Sequence, residues 1–242
     1  QLNDEAGGKK AALTKGIALA THSIIVTTDA DCIYPNNWLN TLLSYRAEQD
    51  AVFVAAPVKY AKENSFFERF QSLDFLALQG ITIAAVSKQH FNMCNGANLL
   101  YSKEAFQKVK GFEGIDHIPT GDDMLLMEKM QAAFPGQIKY CFSKDVIVET
   151  LPAKGLRAFI QQRIRWASKS TSYKNKNIKL VLLLVYLVNL SIMMMLIGGF
   201  YDLQYLRWGL LFILIKTIFE YPFMIRTARF FGKQNLLPWF II

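Results

Sequence analysis

Residues 24–32 read IIVTTDADC, a run of β-branched and apolar residues that ends in two carboxylates, Asp29 and Asp31. The run suits a strand bound for an interior; the acids at its end need a reason. In layered α/β folds ligands sit beyond the carboxyl ends of the strands, and alternate residues of an extended segment share a face. Asp29 and Asp31 are therefore expected to point into one crevice. A hard cation such as Mg²⁺ takes one or two carboxylates and completes its shell with water and substrate phosphates. A plainer reading stands beside this one: Asp is common in turns after strands, where its side chain accepts backbone N–H bonds.

Outward from that strand the chain alternates. Residues 9–20 have helical composition, 23–28 form the strand, and a helix starts after Pro35 and the Asn pair that follows it. Residues 51–60 (AVFVAAPVKY) read as a strand, 65–86 as a long amphipathic helix and 92–102 (NMCNGANLLYS) as a strand. Residues 122–133 read as a helix and 138–151 (IKYCFSKDVIVETL) as one or two strands. Strand and helix in turn argue for an α/β layer fold.

A second acid pair opens the helix at 122. In TGDDMLLMEKM, Thr120 or Asp122 can cap the helix, and acids are favoured near a helix N-terminus. Capping accounts for one acid, which leaves Asp123 available as a general base for a hydroxyl. The glycines before it (Gly111, Gly114, Gly121) would let the loop approach a substrate closely. Further on, LRAFIQQRIRWASK places Leu156, Phe159, Ile160, Ile164 and Ala167 on one helical side and Gln162, Arg165 and Trp166 on another. The apolar side suits a helix lying on the cytoplasmic leaflet. Arg165 could clamp a diphosphate, and Trp166 could offer a sugar ring a flat platform. Arg163 falls on the apolar side, with its stem expected along the bilayer surface and its charge at the headgroups.

The chain has 242 residues, 52% of them hydrophobic, and a net charge of +8. Residues 150–179 hold eight basic residues and no acid, as many charges as the whole net balance. A nucleic-acid partner is excluded because this block runs straight into a membrane span. Residues 180–200 are 21 without a charge, enough to cross a hydrocarbon core of ~30 Å as a helix. A second apolar segment covers 208–225 and is trailed by Arg226, Arg229 and Lys233. Basic residues at both outer ends put them, and the N-terminal part, in the cytoplasm. Inside the second span Lys216 and Glu220 stand four apart, and a mutual ion pair is the minimal expectation. The final LLPWFII looks like a third span cut short. With no initiator Met and a start in mid-pattern, the chain reads as a piece of a longer protein. Cys32, Cys94, Cys141, His22, His90 and His117 lack the spacing of a metal or disulfide framework.

The order of these motifs is more specific than any one of them. DAD at 29–31, CNGAN at 94–98, GDD at 121–123, QRIRW at 162–166 and then membrane spans resembles the membrane-bound family 2 glycosyltransferases, the group of the cellulose, chitin and hyaluronan synthases. The resemblance implies a GT-A (Rossmann-like) nucleotide-sugar-binding domain of α/β class over 1–150, then a basic interfacial segment over 151–179 and a transmembrane hairpin with the start of a third span over 180–242. It implies that Asp29 approaches the nucleotide, that Asp31 with Asp29 binds Mg²⁺ or Mn²⁺, and that Asp123 is the catalytic base. Gly96, Asp122, Gln162, Arg165 and Trp166 would then bind substrate.

The implied reaction is an inverting hexosyl transfer. The donor is a nucleotide-diphosphate sugar, expected to be a UDP-sugar, and the acceptor a lipid or glycan. The expected location is the cytoplasmic face of the plasma membrane, in contact with membrane lipids. The family's opening strand and base-recognising acid should precede residue 1, so this stretch alone is expected to be inactive. Two other classes fit the residues: a non-catalytic membrane-anchored nucleotide-sugar-binding or regulatory protein, and a metal-dependent phosphoryl or nucleotidyl transferase.

Overall fold

The computed structural model describes residues 8–87, 93–116, 118, 121–168 and 176–240. The chain forms two compact units, Gln1–Lys169 and Ser170–Ile242. The QRIRW helix falls within the first of them.

In the first unit the described elements are α1 (Gly8–Leu19), β1 (Ile24–Thr27), α2 (Trp38–Glu48), β2 (Phe53–Ala55), β3 (Val58–Tyr60), α3 (Phe66–Ser87), β4 (Leu99–Ser102), α4 (Lys103–Lys108), α5 (Asp122–Ala133), β5 (Ile138–Tyr140), β6 (Val148–Thr150) and α6 (Gly155–Ser168). A mixed sheet runs β1-β4-β2-β5, with β4 antiparallel to both neighbours and β2 parallel to β5. Strands β3 and β6 pair in parallel as a second, smaller sheet.

Strand periodicity sends alternate residues to opposite faces. Phe53, Ala55, Leu99 and Tyr101 join a core with Ile17 of α1, Phe106 of α4 and Leu126, Met127 and Met130 of α5. Val54 and Leu100 point the other way and meet Trp38 and Leu42 of α2 and Phe75 of α3. Both faces of the sheet are therefore covered, which is why its strands read as nearly continuous apolar runs. Leu42 and Leu100 are fully buried, and side chains of this kind each stabilise the fold by about 1.5–3 kcal/mol.

Two expectations change, one is narrowed and one helix is added. Residues 51–60 are two strands in two sheets rather than one, because Pro57 has no N–H to give a ladder. Around it the ladder is replaced: Ala56 N–H donates to Asn98 O and Val58 N–H to the buried Gln79 Oε1. Of 92–102 only Leu99–Ser102 is strand; residues 95–98 form a turn, Asn98 N–H donating to Asn95 O at 3.1 Å, and Asn92 lies outside the described residues. Residues 138–151 are two strands, separated by a 3₁₀ turn at Lys144–Val146. Helix α4 is an addition, with a signal in the sequence: Ser102 caps it, its hydroxyl accepting from Ala105 N–H at 2.9 Å.

The second unit holds α7 (Lys176–Gly198), α8 (Leu203–Phe231), a 3₁₀ turn Gln234–Leu236 and α9 (Leu237–Phe240). Close approach of α7 and α8 relies on small residues. A Cβ on Gly199 would lie 2.8 Å from Leu206 Cβ, and one on Gly209 would lie 3.2 Å from Leu196. Asp202 caps α8 by accepting from Gln204 N–H at 2.9 Å. Lys216 and Glu220 form the expected pair, at 2.9 Å.

Among the described residues three helices are long and apolar enough to cross a membrane: Phe66–Ser87, Lys179–Gly198 and Leu203–Phe231. The first is largely covered by protein, with Leu73, Phe75 and Leu76 in the interior of its unit. Helices α7 and α8 instead expose apolar side chains such as Leu183, Leu184, Leu214 and Phe219, as in a membrane protein.

Candidate active site

Beyond the end of β1 the chain turns, Cys32 N–H donating to Asp29 O. Here a small cleft is lined by Lys9, Thr27, Thr28, Asp29, Gly96, Tyr101, Asp122 and Asp123, with Leu13, Leu99, Phe112 and Leu126 as its apolar walls. Four residues expected in the site, spread over nearly a hundred positions of sequence, thus converge on it: Asp29, Gly96, Asp122 and Asp123.

Asp123 is held by the backbone. Its Oδ2 accepts from Gly96 N–H at 3.0 Å and its Oδ1 from Met124 N–H at 2.9 Å. A Cβ on Gly96 would stand 3.5 Å from the Asp123 side chain, an ordinary contact. What Gly96 supplies is therefore its N–H, not space for a neighbour. The α5 N-cap is Gly121 at φ +87°, with no side-chain cap bond. Asp122 is the first helical residue and not the cap, and Thr120 lies outside the described residues. Both acids of the pair remain turned to the cleft.

The glycine-bearing loop before α5 is held from two sides. Lys10 donates to the carbonyls of Ile115 and Ile118, and Lys129 donates to those of Gly111 at 2.6 Å and Glu113 at 2.8 Å. Gly111 has φ +47°, and a Cβ there would lie 2.6 Å from the Phe106 ring. Its reason is packing against α4, not approach to a substrate.

Lys9 was not singled out from the sequence, where it is one of many lysines in a helical run. In the fold its Nζ donates to Asp29 Oδ1 at 2.9 Å. Burial pulls the Lys9 ammonium down, but the hydrogen bond to Asp29 and the charges of Asp29, Asp122 and Asp123 outweigh burial, and its pKa is raised. Three carboxylates around one ammonium leave the cleft with excess negative charge. Tyr101 forms a neutral wall: burial pushes its phenol up to about 12, opposed by a hydrogen bond with Thr27 and assisted by the charge of Asp122.

Asp31 is exposed and is not among the cleft's lining residues; its Oδ2 accepts from Thr150 Oγ1 at 3.3 Å. The turn that carries it is tied to β6 by reciprocal bonds of 2.8 Å between Ile33 and Glu149. Among the described residues no three His, Cys, Asp or Glu side chains gather as a ready-made metal cage. The donors present still fit a cation that draws most of its shell from water and phosphate. Asp29 already holds a cation, the Lys9 ammonium, and its partner acid lies two residues on.

Gln162, Arg165 and Trp166 lie elsewhere, on α6, and do not line the cleft. Arg165 is exposed, while Gln162 and Trp166 are half-buried. Trp166 packs against the core that holds Phe75, with ring centroids 6.0 Å apart. The expectation for Arg163 is overturned: its guanidinium pairs with Asp74 of α3 and lies 4.7 Å from the Phe159 and Trp166 rings, instead of reaching to headgroups. An ion pair and two aromatic faces within the protein hold it more firmly than a hydrated surface would. Leu156, Ile160 and Ile164 remain exposed along α6. None of the three cysteines forms a disulfide.

The pattern of glycosyl transferase family 21 matches residues 5–242, nearly the full length. No curated protein matches the chain. The motif order resembles family 2, whereas the family that matches is a different one, with glycosyl transfer common to both. On that match the chain belongs to glycosyltransferase family 21.

Proposed function

We propose that this glycosyltransferase moves a hexosyl group, with inversion, from a nucleotide-diphosphate sugar to a lipid or glycan acceptor at the cytoplasmic face of the plasma membrane. A UDP-sugar is the donor this reading favours. The observation that carries it is the convergence of Asp29, Asp122 and Asp123 on one cleft, with Asp123 held by two backbone N–H groups. Those two bonds use one lone pair on each oxygen and leave others directed elsewhere. A carboxylate so held needs little reorganisation to accept a proton.

In the proposed step Asp123 takes the proton of an acceptor hydroxyl, the acceptor oxygen bonds to the anomeric carbon from the face opposite the diphosphate, and the bond from that carbon to the phosphate oxygen breaks. The nucleoside diphosphate leaves with the electron pair. One displacement inverts the anomeric centre, and no covalent enzyme intermediate forms. Asp29 and Asp31 would hold Mg²⁺ or Mn²⁺, which when bound supplies charge stabilisation to the departing diphosphate. Asp122 adds negative charge beside the cation site, and Arg165, exposed on α6, would meet the diphosphate with its planar guanidinium.

The reading is tested by nucleotide release from the full-length protein in nanodiscs, across a panel of sugar nucleotides with Mn²⁺, Mg²⁺ or EDTA. Release from one donor that EDTA abolishes and that Asp31→Ala lowers by at least tenfold supports it. Metal-dependent binding without release would favour the non-catalytic reading, and radiolabel from the β-phosphate in the product would favour phosphoryl transfer.

Lys9 gives a separate expectation. Removing its ammonium in Lys9→Met leaves Asp29 without its cation, so Mn²⁺ should bind about two- to fivefold more tightly in the absence of donor, the range expected of a half-exposed pair. Titration of Mn²⁺ by electron paramagnetic resonance reads this directly. An unchanged affinity would mean that Asp29 is not a metal ligand.

A further inference from the structure

Within the QRIRW stretch, two arginines stand two residues apart, and residue type alone does not separate their roles. The fold does. Phe159, Arg163 and Trp166 follow one another at helical spacing and form one stripe of α6. On α3 the matching stripe is Phe67, Phe70, Asp74 and Phe75. Phe159 meets Phe67 edge-on at 5.4 Å and Phe70 at 6.0 Å. Arg163 donates to Asp74, and Trp166 lies against Phe75, which in turn stacks on Tyr60 of β3 at 4.6 Å. The segment leading into α6 is pinned to the same helix, because Gln71 and Ala153 exchange two hydrogen bonds, at 3.1 and 3.0 Å.

The Arg163 guanidinium sits at the centre of this contact. It is 4.7 Å from the Phe159 ring on one turn and 4.7 Å from the Trp166 ring on the next. Its side chain is only 25% exposed, and its Nε is buried without a hydrogen-bond partner, so the group is committed to the stack and the ion pair. A lysine could replace the charge but not the planar contact with two rings.

We infer that Arg163 is a positioning residue: through its ion pair with Asp74 and its stack between Phe159 and Trp166, it sets the register of α6 on α3 and so the place of Trp166 and Arg165. This rests on the proposed transfer reaction for its effect on rate, but not for its effect on Trp166. The role is distinct from simple attachment of the helix, since Gln71 and Phe159 already attach it.

The test uses the full-length protein in nanodiscs, with Arg163→Gln, Arg163→Lys and the reversed pair Asp74→Arg with Arg163→Asp. Trp166 emission is obtained by difference from the same proteins carrying Trp166→Phe. Arg163→Gln and Arg163→Lys should red-shift the Trp166 component and lower kcat for nucleotide release by about ten- to a hundredfold, with donor KM within about threefold. The reversed pair should recover the melting temperature, because the interhelical charge pair is restored, but not the rate or the emission, because no guanidinium then bridges the rings. Recovery of both rate and emission by the reversed pair would reduce Arg163 to a clamp and overturn the inference. So would Trp166 emission indistinguishable from wild type in Arg163→Lys. A wild-type protein that releases no nucleotide while the emission shifts appear would count against the transfer reading alone and uphold the positioning role.

Discussion

Replacing Asp123 by Asn should lower nucleotide release by about 10²–10⁴-fold, the range for loss of a general base, while donor binding stays within a few-fold. The two protein donors on this side chain make the prediction sharper than loss of a proton acceptor. Gly96 N–H points at Oδ2 and Met124 N–H at Oδ1. An amide can accept only one of them, and its NH₂ then faces the other donor across a hydrogen-bond distance. The substitution should therefore also loosen the turn at Gly96, at a cost of about 1–3 kcal/mol for the unpaired donor. Asp123→Glu keeps the charge and moves it by roughly one methylene, so it should retain stability better than Asn yet remain impaired in rate. Single-turnover nucleotide release, beside a melting curve for each variant, separates the two effects. Release by Asp123→Asn within tenfold of wild type would show that another group takes the proton.

The second large effect falls on a residue with no chemistry. Asn98, in the same turn as Gly96, is completely buried. Its amide accepts from Trp38 Nε1–H at 3.0 Å and donates to the carbonyls of Pro57 at 2.8 Å and Val146 at 2.7 Å. One side chain thus ties together α2, the step between the two sheets and the turn before β6. Asn98→Ala would leave the Trp38 Nε1 donor and the Val146 carbonyl buried without this partner, while Pro57 O keeps its bond from Val148 N–H at 3.0 Å, and should destabilise the first unit by about 2–5 kcal/mol. A loss of that size is a large fraction of the stability of an ordinary domain and should lower Tm by roughly 10 °C. Asn95→Ala, which removes a single half-buried bond to Ala97 N–H, should cost about 1 kcal/mol. Thermal melts of both variants in detergent decide it; equal shifts would mean that waters take over the Asn98 bonds.

These two residues also show where reading the sequence succeeds. Asp123 was identified because an acid pair at the start of a periodic helix is a local pattern, and α5 begins at Asp122 as the pattern requires. Asn98 lies in the CNGAN motif, yet its role needs three segments that are distant in sequence. Lys9 is a similar case: its partner is twenty residues away and could not be told from Lys10, which holds a loop instead.

Local chemistry, legible in the sequence alone, determined the alternation of strand and helix, the bounds of α1, α3 and α5 to within a residue or two, and the two long apolar segments at 180–200 and 208–225, which fall within or overlap helices at 176–198 and 203–231. Each of these depends on periodicity, capping or length within one stretch of chain. Only the tertiary structure decided that Pro57 divides one apolar run between two sheets, that Arg163 turns to Asp74 eighty-nine residues away, and that Asp29 meets a lysine while Asp31 meets Thr150. The physical reason is the same in each case: an ion pair or a buried hydrogen bond is worth making only where the packed layers bring its two partners together, and neither partner's neighbours in sequence carry that information.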